Sequence, residues 1–470
     1  MIPLSVPNLS GNELTYVNHA LSDGWVSTGG SSITRFEDEF AVYSGVEYTT
    51  ACQSGTAALH LALVDAGVGA GHLVAAPTLT FIASINPIRY AGADPVFMDC
   101  DDSLCIDPVK FAYYLEKECE LRDDGYCYDK SLDKPIRAAI VVHIFGNAAD
   151  MECMVRLCDK YNIVLIEDAA EAVGTFYNSG PYDKKMAGTI GDYGAYSFNG
   201  NKIITTGCGG MLTSPYFERV QHMKHLSTQA KTDEVYYTHD EIGFNYRMTN
   251  VQAAIGLAQL EQLEMFIDIK RANYDLYREQ GIDLLPFQSN CRPNYWFYSY
   301  VRGGVSKSAS KSANNSVSDG VSKSASISGS DGVNKSARNS ASDGVSNSGG
   351  NIASNSGSNN ASNIGGNNAN KSGGNSASRK SNYSGNNRIR NSRAYRDELI
   401  RHLFNRGIQT RPVWGLCHEQ PMYWNCRAFN IEKALDFHDR IINLPCSTNL
   451  SANDICRVAE EIYAFNKQYK

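Results

Sequence analysis

Thirteen cysteines are scattered from Cys52 to Cys456, yet no Cys-x-x-Cys pair occurs among them. That absence leaves zinc-ribbon and thioredoxin-type readings without support, and no metal site is expected. The odd, irregularly spaced set reads as reduced thiols, many of them buried as small hydrophobes, which favours a cytoplasmic setting. Long apolar runs are missing too. No stretch approaches the roughly 18 residues of a membrane-spanning helix, so no membrane partner is expected. The N-terminus, Met1-Ile2-Pro3-Leu4-Ser5-Val6-Pro7-Asn8, has no basic region and no apolar core, so no signal peptide is expected. A basic surplus is also lacking: the formal charge is −7. Residues 304–393 carry eleven Lys/Arg against three Asp, which leaves about −15 on the rest. An acidic body argues against nucleic acid as a partner, because phosphate neutralisation needs a basic face.

Residues 303–391 have few aromatic or large apolar side chains and consist almost wholly of Ser, Asn, Gly, Ala and Lys. Ser-Asp-Gly-Val recurs at Ser318, Ser330 and Ser342, a period of 12. Each unit offers one Val, so stacked units could not bury a continuous core. The segment is expected to be a disordered, flexible insertion in a surface loop, where extra length costs little free energy.

What remains is ordinary α/β sequence, and 42% hydrophobic content over 470 residues is enough for two domains. Residues 138–144 form a continuous apolar run, as does the stretch at 162–166, and both fit strands buried on two faces. Between them, residues 150–161 place Met151, Met154, Val155 and Cys158 on one helical face. Such alternation predicts a mostly parallel sheet flanked by helices over 1–260. A smaller α+β domain is expected from 261–302 and 394–470, with a long helix at 261–279 and a strand at 295–301. The insertion, 303–393, falls inside it.

Four local features carry chemistry. Cys52-Gln53-Ser54-Gly55-Thr56-Ala57-Ala58-Leu59 follows a strand-like run and opens an apolar helix. A Ser-Gly-Thr turn at a helix N-terminus is a phosphate seat, although alone it is also an ordinary N-cap. Ile166-Glu167-Asp168-Ala169-Ala170-Glu171 puts Asp168 where a buried strand ends, which is where open α/β sheets gather their sites. An acid there can keep a pyridine nitrogen protonated, and equally can cap a helix. Ala195-Tyr196-Ser197-Phe198-Asn199-Gly200-Asn201-Lys202 runs a strand into a polar turn with a single lysine. A lysine on a rigid turn can lose solvation and form an imine, while a surface lysine is the commoner fate. Gly243-Phe244-Asn245-Tyr246-Arg247-Met248-Thr249 precedes an apolar helix and alone is a loop and cap. Gly67-Val68-Gly69-Ala70-Gly71 imitates part of a dinucleotide fingerprint, but it follows a helix and reads as a helix stop.

In this order and spacing the four features resemble the DegT/DnrJ/EryC1/StrS sugar aminotransferases, pyridoxal-phosphate enzymes of fold type I. The resemblance covers 1–302 and 394–470. It implies pyridoxal phosphate as cofactor, with Lys202 as Schiff-base lysine and Asp168 as partner of the pyridine nitrogen. Phe81, in Pro77-Thr78-Leu79-Thr80-Phe81-Ile82-Ala83, resembles the aromatic stacked on the cofactor ring. Gly55, Thr56, Ala57 and Ser197 resemble the phosphate contacts. Asn245 resembles the asparagine reaching the phosphate from a neighbouring subunit, which implies a homodimer with shared sites. Arg411 and Trp414, in Thr410-Arg411-Pro412-Val413-Trp414, with His418, resemble the side that meets the sugar nucleotide. Trp25, in Gly24-Trp25-Val26-Ser27-Thr28-Gly29, resembles the covering loop.

Two departures stand out. Many relatives have Gln or His at Glu171, which bears on contacts to the cofactor hydroxyl, and Glu at Cys208. The resemblance implies amino transfer from glutamate to a nucleotide-linked keto-sugar. The pattern is most similar to the branch acting at C4 of UDP-2-acetamido-4-keto-6-deoxy sugars, as in N-acetylbacillosamine synthesis. A dehydratase of the same fold would carry histidine in place of Lys202, and a non-catalytic sugar-nucleotide sensor would be expected to lose that lysine.

Overall fold

The computed structural model describes residues 1–233, 235–302 and 386–469, and of 386–391 the backbone only. These residues belong to one compact unit. The Ser/Asn/Gly-rich insertion lies outside the described residues except at its end. There a helix, Asn386–Asn405, begins ahead of the point, 394, at which the smaller domain is expected to resume.

Seven strands build most of the main sheet: β1 (Thr49–Cys52), β2 (Leu73–Pro77), β3 (Asp94–Met98), β4 (Lys134–Val142), β5 (Val164–Asp168), β6 (Tyr193–Ser197) and β7 (Gly210–Thr213). Their order is β1-β7-β6-β5-β4-β2-β3, and the two-residue strand Ala428–Phe429 follows β3. From β6 across to Ala428–Phe429 every pair is parallel; β7 and β1 add on antiparallel. The mixed α/β architecture with a mostly parallel sheet is therefore as expected. Strand β4 shows why its second half, Ala138 to Val142, is apolar throughout. Ala138, Ile140 and Val142 pack into one buried cluster, and Ile136, Ala139 and Val141 into a second. Successive side chains leave opposite faces of a strand, so a strand covered on both sides needs apolar residues at every position.

Several boundaries move, each for a local reason. Strand β4 starts before Ala138 and stops at Val142, because Phe145 takes a left-handed conformation (φ 56°) in the turn that follows. Strand β5 starts at Val164, because Asn162 (φ 53°) is the left-handed cap of helix Met151–Tyr161. Asp150 caps that helix at its other end, accepting from the Cys153 N–H at 3.0 Å. The long helix runs Leu263–Glu279, broken from Asn250–Leu260 at Glu261 and Gln262. The strand expected from Tyr295 begins at Tyr298, because Tyr295 has φ 55°, outside the β region. Gly67 (φ 69°) and Gly71 (φ 87°) lie between helix Gly55–Asp65 and β2, a helix stop and loop as read.

A second, three-stranded sheet holds β8 (Tyr298–Val301), β9 (Arg411–Pro412) and β10 (Ile441–Leu444), with β10 central and both pairings antiparallel. All thirteen cysteines are free and most are buried. Among the described residues no helix is long and apolar enough to cross a membrane.

Candidate active site

Three turns at the carboxyl ends of the parallel strands β2, β5 and β6, with a helix N-terminus and a C-terminal segment, converge on one cavity of about 490 Å³. The turn after β2 brings Phe81 and Ser84. The end of β5 brings Asp168 and Glu171, and the turn after β6 brings Ser197 and Lys202. From the C-terminal segment come Arg411 of β9 and Trp414. Helix Gly55–Asp65 adds Gly55 and Thr56 at its N-terminus.

At that N-terminus Ser54 is the cap, its Oγ accepting from the Ala57 N–H at 3.1 Å. Gly55 is required by close approach. A Cβ there would lie 2.8 Å from Ser197 Cβ, closer than real contacts allow. By helix geometry the first-turn N–H groups of Gly55 and Thr56 have no intrahelical acceptor, so they and the Ser197 hydroxyl form a cradle for an anion.

Asp168 is buried (3% exposed) at the last position of β5. Its Oδ2 accepts from Ser84 Oγ at 2.6 Å and its Oδ1 from the Ala170 N–H at 3.0 Å. Two donors leave acceptor capacity on an ionised carboxylate. Burial pushes its pKa up, opposed by the Ser84 and Ala170 hydrogen bonds and by Lys202. Glu171 is also buried, and desolvation pushes it up to about 7, against the opposing pull of Lys202 and of the Phe145 N–H. That N–H donates to Glu171 Oε2 at 2.8 Å. Lys202 closes the turn after β6, its N–H donating to Asn199 O at 2.9 Å. Its Nζ lies 3.6 Å from Glu171 Oε1, with the side chain 11% exposed.

The cavity therefore gathers Gly55, Thr56, Phe81, Asp168, Glu171, Ser197, Lys202, Arg411 and Trp414. Four other residues singled out in the sequence lie off its wall. Ala57 is buried behind the first turn, Asn245 is exposed, and Trp25 is exposed at 61%. His418 is instead hydrogen-bonded to Thr78, Nδ1 to Oγ1 at 2.6 Å. Sequence reasoning missed Ser84, although it sits one residue beyond the Phe81 segment, and Trp296, for which no local signal exists. Cys208 also reaches the cavity and donates from Sγ to Gln53 O at 2.9 Å.

These residues suit pyridoxal phosphate: an anion cradle that a Cβ would fill, a buried carboxylate with spare acceptor capacity, a half-exposed Phe81 ring and an amine between them. The sequence pattern described as the DegT/DnrJ/EryC1/StrS aminotransferase family matches residues 7–304 and 367–463. The chain is 39% identical over 303 residues to a GDP-perosamine synthase of Escherichia coli O157:H7, covering 64% of this chain and 78% of that protein. It is likewise 39% identical over 303 residues to a GDP-perosamine synthase of Vibrio cholerae, covering 64% and 76%. Among solved structures, the aminotransferase TlmJ from Streptoalloteichus hindustanus shares the fold, with a TM-score of 0.72, 21% identity and full coverage of both chains.

Proposed function

Because the chain belongs to the DegT/DnrJ/EryC1/StrS aminotransferase family and is a pyridoxal-phosphate-dependent sugar aminotransferase, we propose that it moves the amino group of glutamate to C4 of a nucleotide-linked 4-keto-6-deoxy sugar. The observation that carries the reading is Lys202 Nζ placed beside the buried acids Asp168 and Glu171, in a cavity with an anion cradle at one end. Bound there, the cofactor supplies an electron sink for the pair left behind when a proton leaves an amino-acid Cα. Lys202 Nζ takes that proton in the first half-reaction and delivers one to C4 of the sugar in the second. The Asp168 carboxylate would hold the proton on the pyridine nitrogen. Gly55, Thr56 and Ser197 would hold the phosphate, Phe81 would cover the ring, and Glu171 would meet its hydroxyl. Arg411, Trp414, His418 and Trp25 form the sugar-nucleotide side. Asn245 serves a second copy of the chain, so the working unit is a homodimer. Residues 1–260 form the cofactor-binding domain, and 261–302 with 394–470 form the smaller one.

UDP-2-acetamido-2,6-dideoxy-hexos-4-ulose is the substrate that the sequence pattern favours. A GDP-linked keto-sugar is the second reading, favoured by the names of the two relatives. The test is the visible absorbance band of the purified, cofactor-loaded protein. Glutamate is expected to bleach it, and one of the two keto-sugars to restore it. Restoration by the GDP sugar alone decides for the second reading, and restoration by neither removes both. Lys202→Ala is expected to lose turnover by several orders of magnitude, and near-normal turnover in that variant ends the assignment.

A further inference from the structure

We infer that Trp296 is a positioning residue for Lys202: its indole face and Glu171 form a clamp that keeps the lysine amine at the reacting carbon whenever it is free of the cofactor. The inference rests on Lys202 being the Schiff-base lysine.

Lys202 Nζ lies 4.1 Å from the Trp296 ring centroid and 3.6 Å from Glu171 Oε1, so the amine sits between a ring face and a carboxylate. Trp is the strongest aromatic partner for an ammonium group, more so when both are desolvated. Trp296 is 2% exposed and Lys202 11%, so this contact is largely shielded from water.

Every polar atom of Trp296 is tied down. Its N–H donates to Asn294 Oδ1 at 3.0 Å, and its indole Nε1–H donates to Asn201 O at 2.8 Å, on the residue preceding Lys202. Its carbonyl accepts from Lys270 Nζ at 3.1 Å. Lys270 is itself buried, and its other partner is the Cys446 carbonyl at 2.5 Å. Burying a lysine is costly, and here the cost is spent on fixing backbone, part of it that of Trp296.

The two jaws share one anchor. Asn294 is fully buried, and its Nδ2 donates to Glu171 O and Val173 O, both at 2.9 Å, while its Oδ1 holds Trp296. Phe145 accepts a left-handed backbone to aim its N–H at Glu171. Strained backbone persists where the surroundings over-determine it, and it clusters at working sites. A lysine that must leave an imine, carry a proton and return has four rotatable bonds. Holding its amine in near-attack position lowers the entropic cost of each step.

The test uses the full-length holoenzyme. Trp296→Leu is expected to lower kcat about 20-fold with the glutamate KM within about threefold of wild type, because the loss is one of orientation and not of binding. Trp296→Phe keeps a ring but loses the Nε1 bond, and is expected to recover to about three- to fivefold below wild type. A second readout is independent of turnover: borohydride fixation of cofactor onto Lys202 in the resting enzyme, quantified by peptide mass spectrometry. The fixed fraction is expected to fall at least about twofold in Trp296→Leu and to recover in Trp296→Phe. A Leu variant within threefold of wild-type kcat, or a Phe variant as impaired as the Leu variant, overturns the clamp. If Trp296→Leu does not fold, Trp296→Phe decides alone: about three- to fivefold lower kcat at unchanged KM supports it, and wild-type kcat overturns it. If the wild-type enzyme fixes no cofactor at Lys202, the assignment of that lysine fails first and the clamp falls with it.

Discussion

Glu167 and Asp168 are neighbours on β5, both buried, yet the protein treats them in opposite ways. Glu167 points into the structure and is saturated. It accepts from the N–H groups of Gly188, Ile190 and Gly191 at 2.8, 2.6 and 2.6 Å, and pairs with His143 Nε2 at 2.9 Å. Asp168 points the other way, into the cavity, with two donors, and Glu171 beyond it has one hydrogen bond and a lysine at ion-pair distance. Burying a charge costs unless hydrogen bonds or partners replace water. The first acid is fully compensated and holds the strand to the following loop. The other two are under-compensated, their pKa values raised by burial, and so are poised for a cation to enter.

Breaking the under-compensated side has the larger effect. Asp168→Ala is expected to lower the rate of the glutamate half-reaction by about 10²- to 10³-fold, read by stopped-flow absorbance. Glu171→Gln sharpens the contrast through pH. The folded protein holds the Glu171 proton up to about pH 7, while an unfolded chain releases it in the ordinary glutamate range near 4.5. The folded state therefore binds more protons in that window, and the stability of the cofactor-stripped protein falls as pH rises through it. The variant is expected to remove that fall, about 2 kcal/mol between pH 5 and pH 7.5, as measured by denaturant unfolding at the two pH values.

Glu167→Gln tests the saturated side. It is expected to cost about 2–3 kcal/mol of stability while folded enzyme keeps its KM for glutamate, and a kinetic effect without a stability loss would erase the distinction. The smallest effect is expected from Gly55→Ala. Pushing the cradle away from Ser197 should weaken cofactor affinity about tenfold, followed by fluorescence titration.

The parallel sheet was legible because a strand covered on both faces cannot hide its composition, as β4 shows. The meeting of Lys202 and Asp168 in one cavity was legible because Asp168 closes a strand and Lys202 closes the polar turn after one. Trp296 was not, since its role depends on Lys270 and Asn201, which converge on it from distant segments with no shared spacing. The same holds for Tyr295, whose left-handed backbone cuts short an apparently continuous strand and turns Trp296 out of it. Hydropathy does not record backbone sign. Ser84 was closer to reach, yet a serine beside a loop motif has many ordinary uses.

Both borders of the large sheet are occupied. At one, the Ala428–Phe429 strand pairs with β3, helped by the Phe97 N–H donating to Arg427 O at 2.8 Å. At the other, Cys52 bridges to Arg247, and the Gln53 N–H donates to Tyr246 O at 2.7 Å. A bare strand edge is a template on which other chains can polymerise. A segment more than 300 residues further along the chain thus acts as a cover against self-assembly, and a nascent chain that has not yet made residues 428–429 leaves the β3 border open.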